Sequence, residues 1–183
     1  MLRDRGNRTR ALIAAAGLAL LAGCQSTASL PTFAYGHYRA EPGAMRLVEV
    51  LAGKENVGRT RLTETALRDA GFEVRSEEFA YKGLQGRNLW VDVGERGPLY
   101  YLIAHTDSHP ASPGANDNAS CVAVAVETLR RMKANLPEAV RIRFLFPALE
   151  EWGLRGTRHH LAGRPQADVR GAASFDACGI GDA

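Results

Sequence analysis

The sequence predicts an α/β fold built on a mainly parallel mixed sheet with helices on both faces. Three observations carry this. Apolar or alternating runs of strand length recur at 72–79, 88–93, 99–104, 140–147 and 169–175. Segments with helical periodicity separate several of them. The run 99–104 is apolar throughout, as a central strand covered on both faces is.

Each element has its own signal. Residues 45–52 place Leu47, Val48 and Leu51 on one helical face, and 60–70 repeat the pattern with Leu62, Ala66 and Leu67. Gly71 follows where a helix C-terminus favours glycine. The stretch 72–79 alternates imperfectly, as a half-exposed strand does, and 88–93 forms a second strand. After a loop at 108–115, residues 118–132 are Ala- and Val-rich with a polar end and predict a buried helix. The stretch 140–147 alternates around Ile142, Phe144 and Phe146. A short helix starts at 156–161, and 169–175 is the last strand.

The N-terminus reads as a processing segment. Arg3, Arg5, Arg8 and Arg10 precede a short apolar stretch and Leu21-Ala22-Gly23-Cys24, a charged, apolar and small-residue order typical of export signals. It resembles a bacterial lipobox, which implies removal of 1–23 and lipidation of Cys24. Gln25, rather than Asp, resembles the sorting pattern for the outer membrane, so the expected location is the cell envelope, facing the periplasm. Residues 24–42 are small, polar and Pro-containing and read as a tether. Removal of 1–23 takes four Arg and Asp4 from 23 basic and 20 acidic residues, leaving 19 of each. A neutral chain without basic clusters argues against a nucleic-acid partner. Cys121 and Cys178 remain, in a compartment where a disulfide persists. Both follow candidate ligands by a few residues and are expected near one rim; the sequence leaves open whether they bond.

The chemistry lies in an ordered series of side chains. His105, the Glu150-Glu151 pair and Asp176 each fall just past a predicted strand, and in open α/β sheets ligands bind outside the carboxyl ends of strands. Imidazole and carboxylates are the ligands of hydrolytic metal sites, which also need one carboxylate left free as a base. Asp107, two residues after His105, points the same way in extended backbone and can accept from its far ring nitrogen. Asp117 lies in a Gly/Asn-rich loop and serves as a ligand or as a helix cap. Two adjacent carboxylates repel and lose solvation, so one is expected on a metal and the other as a base. His109, His159 and His160 are expected on the surface or in loops. Trp152 either lines an apolar substrate pocket or packs a strand-to-helix corner.

The segments Ala104-His-Thr-Asp107, Gly114-Ala-Asn-Asp-Asn-Ala-Ser120, Glu150-Glu-Trp-Gly-Leu-Arg-Gly156 and Phe175-Asp176 together resemble the M28 family of zinc peptidases, over roughly residues 44–180. The resemblance implies a zinc-exopeptidase-like fold for 43–183 and two zinc ions. His105 and Asp176 would hold one ion, Glu151 the other, and Asp117 both. Glu150 would be the general base and Asp107 the partner of His105. It also implies a cis peptide at Asp117–Asn118, and a peptide as substrate.

Two departures from the family pattern stand out. The family has a later His completing the second zinc site, and no His follows Asp176 before Ala183; Cys121 stands where the family usually has Gly. The expectation is therefore a domain truncated at its C-terminus, with little peptidase activity as written. The leading reading is a lipid-anchored zinc exopeptidase, an aminopeptidase, that hydrolyses peptide bonds with a metal-activated water. The alternatives are a catalytically impaired fragment or metal- or peptide-binding lipoprotein, and a glutaminyl-cyclase-like acyl transferase.

Overall fold

The computed structural model describes residues 42–179 except 134, 136 and 137. The expected signal segment, the lipidation site at Cys24 and the tether up to residue 41 lie outside the described residues. The elements run α1 (Pro42–Leu51), α2 (Asn56–Asp69), β1 (Arg75–Tyr81), β2 (Leu84–Val93), β3 (Leu99–Ile103), an irregular helical turn (Ala115–Ser120), α3 (Cys121–Met132), β4 (Arg141–Phe146), α4 (Arg155–Ala162) and β5 (Val169–Ser174).

Pro42, expected at the end of the tether, is instead the first residue of α1, where its missing N–H costs nothing. Helix α2 closes on Gly71 at φ 80°, with Gly71 and Phe72 donating to Arg68 and Leu67 carbonyls. That conformation is open to glycine at little cost. Strands β1 and β2 extend towards each other beyond the expected limits. The two-residue turn Lys82-Gly83, both at positive φ, lets pairing continue to Tyr81 opposite Leu84. The polar run Gln85-Gly-Arg87 hid that extension in the sequence.

The five strands lie in the order β1-β2-β4-β3-β5. Pairs β3·β4 and β3·β5 are parallel, while β1·β2 and β2·β4 are antiparallel. Strand β2 alone therefore runs against the other four. Alternation along the strands divides the core between two faces. Leu89, Val91, Val93, Phe144 and Phe146 pack with Leu51 of α1, Leu67 of α2 and Val122, Val126 and Leu129 of α3. Trp90, Tyr101 and Leu145 face the other way, with Leu161 of α4 and Val169 packed on them. Each fully buried Phe or Leu contributes roughly 1.5–3 kcal/mol.

The parallel trio positions the site. Ile103 is registered with Leu145 of β4 and Ser174 of β5. Pairing continues past the strand ends: Ala104 N–H donates to Leu145 O at 3.1 Å, Thr106 N–H to Pro147 O at 2.8 Å, and Phe175 N–H to Ile103 O at 2.8 Å. The three exit segments thus leave the sheet side by side, carrying His105, Glu150-Glu151 and Asp176 to one rim.

Candidate metal centre

His105 is buried, and its ring is held through Nδ1. Nδ1 lies 3.1 Å from the main-chain carbonyl of Asp107 and 3.5 Å from its Oδ1. A carbonyl only accepts, so Nδ1 carries the proton. Nε2 faces outward, 3.1 Å from Asp117 Oδ1, 3.8 Å from Asp176 Oδ1 and 4.0 Å from Glu150 Oε2.

Asp107 was expected to serve His105 through its carboxylate. The nearer acceptor for the ring is its main-chain carbonyl, and the carboxylate, with Oδ1 at 3.5 Å, supports the ring as well as bonding elsewhere. Oδ1 accepts the backbone N–H of Glu150 at 3.0 Å and Oδ2 that of Glu151 at 3.1 Å. This fully buried side chain therefore shapes the turn that presents both glutamates. Leu149, just before the pair, sits at φ 55°, a conformation that costs a non-glycine residue roughly 1–2 kcal/mol.

Asp117 comes from the irregular turn. The expected helix from 118 is regular only from Cys121. Asp117 (φ −108°, ψ 95°) and Asn118 (φ −135°, ψ 30°) break the helical path, and the Asp117–Asn118 peptide is cis. Asp117 is not the cap residue of either helical segment: Gly114 precedes the turn and Ser120 precedes α3. The turn requires Gly114 at φ 65°, where a Cβ would meet Ser108 Cβ at 2.5 Å and Arg59 Nη1 at 2.7 Å. The Asn118 amide donates to Phe175 O at 3.0 Å, and Gly179 N–H donates to Asn116 Oδ1 at 2.7 Å. Cys121 and Cys178 form a disulfide with Cα atoms 5.2 Å apart. The segment bearing Asp176 is thereby stitched to the turn bearing Asp117.

Ligand atoms of His105, Asp117 and Asp176 lie within 4.8 Å of one another. Glu150 approaches from the side. Glu151 is not part of that group, although its Oε1 is buried without a hydrogen-bond donor, as is Asp117 Oδ1. Asp117 Oδ1 is close to His105 Nε2 without hydrogen-bond alignment. Lone pairs of an imidazole and several carboxylates converge here, and buried acceptors without donors are costly. The arrangement suits a cation. The residues fit a zinc-type ion, which takes nitrogen and carboxylate oxygen ligands.

The same crowding shifts protonation. Burial pulls His105 down, but the Asp107 hydrogen bond and the charges of Asp107, Glu150 and Asp117 outweigh it and raise the ring above its ordinary value. Burial raises Glu150; His105 opposes this, while Asp107, Glu151 and Asp176 add to it.

The other histidines lie elsewhere. His109 is exposed and accepts Ala111 N–H, and His159 is exposed and stacks on Phe79. His160, expected at the surface, is fully buried in α4: Nδ1 lies 2.7 Å from Glu77 Oε1 and Nε2 3.4 Å from Arg143 Nη1. Helical periodicity over eight residues could not show which side of α4 meets the sheet. Trp152 packs on the Phe79, Ala148 and Leu149 cluster, in keeping with the corner role. Sequence reasoning missed Arg59, a fully buried arginine bonded to the loop before the irregular turn. A lone Arg within a helix carries no sequence signal for that.

Residues 88–183 match the profile of Peptidase family M28. Aminopeptidase YwaD of Bacillus subtilis (strain 168) is 44% identical over 63 residues, covering 34% of this chain and 14% of the relative. The probable lipoprotein aminopeptidase LpqL of Mycobacterium tuberculosis (strain ATCC 25618 / H37Rv) is 36% identical over 118 residues, covering 59% and 24%. The chain thus spans about a quarter or less of the curated relatives it matches. Among solved structures, BSAP, a zinc aminopeptidase from Bacillus subtilis, is 30% identical with TM-score 0.50, covering 55% of this chain and 26% of that one. An Acidobacteriales bacterium glutaminyl cyclase reaches TM-score 0.61 over 78% of this chain and 62% of that one. At 18% identity, that likeness speaks for the fold alone.

Proposed function

Because this chain belongs to peptidase family M28, we propose that it forms the metal-binding part of a zinc-dependent exopeptidase, an aminopeptidase acting on peptide substrates. The observation that carries this is the convergence of His105 Nε2, Asp117 and Asp176 within 4.8 Å, with Glu150 alongside. His105 and Asp176 would hold one zinc, Glu151 a second, and Asp117 would be shared. When bound, zinc polarises a scissile carbonyl and makes a nearby water more acidic.

The chain's own groups supply the rest. Asp107 holds the Glu150 and Glu151 main chain through both N–H groups. Glu150 is part-exposed, and its Oε2 stands 4.0 Å from His105 Nε2. It would accept the water proton and deliver it to the departing amine nitrogen. The carbonyl of Asp107 keeps His105 in the tautomer whose Nε2 can ligate. Cys24 would carry the lipid that anchors the protein in a bacterial envelope, on the periplasmic side of the outer membrane; the lipobox-like segment and the lipoprotein named among the relatives support this.

One observation favours a second reading, a centre that holds a single ion and hydrolyses little. The Glu151 carboxylate stands outside the three-residue ligand group. A single-ion centre on this fold would also suit glutaminyl-cyclase-like acyl transfer.

The test loads the purified protein with zinc, counts bound ions by elemental analysis, and assays aminoacyl chromogenic amides and peptides with N-terminal glutamine. Two ions and chelator-sensitive amide hydrolysis are expected. One ion with cyclisation of glutamine would support the acyl-transfer reading. One ion with neither activity would support the impaired one. No bound zinc would overturn all three.

A further inference from the structure

We propose that Arg59 is the positioning residue of the metal centre, a buried guanidinium that fixes the segments bearing His105 and Asp117 relative to each other. The inference rests on the metal-centre reading above. Arg59 is fully buried, and its nitrogens spread over four main-chain carbonyls. Nε donates to Thr106 O at 2.6 Å, Nη1 to Leu51 O at 3.1 Å and Pro113 O at 3.5 Å, and Nη2 to Gly114 O at 3.1 Å.

Thr106 lies between His105 and Asp107. Gly114 begins the turn that presents Asp117. One rigid side chain thus spans the two ligand-bearing segments and anchors both to the end of α1. The planar fork suits this task; a lysine ammonium has its three donors on one nitrogen and cannot reproduce the spread of Nε, Nη1 and Nη2.

The surroundings repeat the pattern. Asn56 and Thr60 share this face of α2 at helical spacing. The Asn56 amide donates to Ser108 O at 3.3 Å and accepts Ser108 N–H at 3.0 Å, and Thr60 Oγ1 lies 3.1 Å from Thr106 Oγ1. The N-terminal half of α2 therefore buries a polar stripe against the 106–114 segment, where packing alone would favour apolar residues. Gly114 fits the same joint, since any Cβ there would meet Arg59 Nη1. No carboxylate is bonded to the guanidinium among the described residues. Burial lowers its proton affinity, and the nearby charges of Asp107 and Asp117 oppose that. The charges of Asp107 and Asp117 thus favour the charged guanidinium, alongside its main-chain bonds.

The experiment measures zinc affinity of the full chain by competition with a chromophoric chelator, with thermal unfolding in parallel. The proteins are wild type, Arg59→Met, Arg59→Lys and Leu67→Ala. The last is a fully buried core residue of the same helix that makes no bond to the 106–114 segment, so it matches loss of stability without the loss of positioning. Both Arg59 variants are expected to bind zinc about 10–100-fold more weakly, the range for losing an outer partner of a metal ligand. Leu67→Ala is expected to lower Tm while keeping wild-type affinity. Should Arg59→Met fail to fold, Arg59→Lys, which keeps the charge and most of the volume, decides. Wild-type affinity in a folded Arg59 variant, or an equal loss in Leu67→Ala, would overturn the inference while leaving the metal centre intact. A wild-type protein that binds no zinc would overturn the metal reading itself, and the inference with it.

Discussion

The Asp107 carboxylate accepts the backbone N–H of Glu150 at 3.0 Å, and its second oxygen takes the next N–H along. One buried side chain thus joins the exit of β3 to the exit of β4. It sets the direction in which two neighbouring glutamates leave the chain. Asp107→Asn would replace one acceptor oxygen with an NH2 group, leaving one backbone N–H facing a donor. The expected cost is about 1–3 kcal/mol of stability, the range for an unsatisfied buried donor. Urea unfolding of the zinc-free protein reads this directly. An Asn variant as stable as wild type would show that the turn holds its shape without this clamp.

The roles of the two glutamates separate by substitution. Glu150→Gln removes the proposed proton acceptor but alters no proposed ligand. In an active, full-length form, turnover should fall by roughly 10²–10⁴-fold, the usual contribution of a general base, with zinc content unchanged. Glu151→Gln should instead reduce bound zinc. Parallel kinetics and elemental analysis settle the assignment. Near-normal rates in Glu150→Gln would mean that another group takes the proton.

Much of this centre was legible because strand-end chemistry is local. His105, Glu150 and Asp176 each follow a predicted strand, and the sheet order places those three strands beside one another. What could not be read was how main-chain groups are satisfied. Asp107 spends its carboxylate on two backbone N–H groups 43 and 44 residues away in sequence. Arg59 bonds carbonyls 47 and 55 residues away. Neither partnership leaves a trace in residue type or periodicity. The helix expected from 118 begins later because Asp117 and Asn118 leave the helical region. The β1–β2 pairing outran its apolar pattern because a two-residue turn, not side-chain alternation, sets that register.

The bridge between Cys121 and Cys178 ties Asp176 to the turn that carries Asp117. Around it, Cys178 N–H lies 3.1 Å from Cys121 Sγ, and the Asn118 and Asn116 side chains bond the same segment. With a sequence separation of 57, the chain-entropy model gives such a bridge about 4 kcal/mol of stability. Cys178→Ser should lower Tm and, because Asp176 is largely exposed and held through its neighbours, should weaken zinc binding roughly tenfold, at the low end for a lost ligand support. Chelator competition on oxidised and TCEP-reduced protein provides the check. Equal affinities in the two states would show that the asparagine bonds alone hold Asp176.

Acid sensitivity should come from the opposite face of the sheet. His160 is fully buried between the Trp90 and Tyr101 rings. Arg143 can only donate to Nε2, so Nδ1 carries the proton and donates to Glu77. Burial, helped by the charges of Arg164 and Arg143 and opposed by Glu77, lowers the His160 pKa below its ordinary value. A histidine depressed in the folded state favours folding while both states are neutral. That contribution is fully present above the unfolded value near 6.5 and is lost as pH falls from there towards the folded pKa, because the unfolded chain binds the proton first. Glu77 acts in a lower window. Burial would raise it, but hydrogen bonds from Asn88, Arg164 and His160 hold it below the usual carboxylate range, so its contribution is present above its unfolded value and lost at still lower pH. His105, raised in the zinc-free protein, contributes in the opposite sense, so the comparison is made between wild type and His160→Gln under the same conditions. Between pH 7 and pH 5, Tm of wild type should fall more steeply than Tm of the variant. Parallel Tm profiles across that interval would mean that His160 takes up its proton in the folded core as readily as in the unfolded chain.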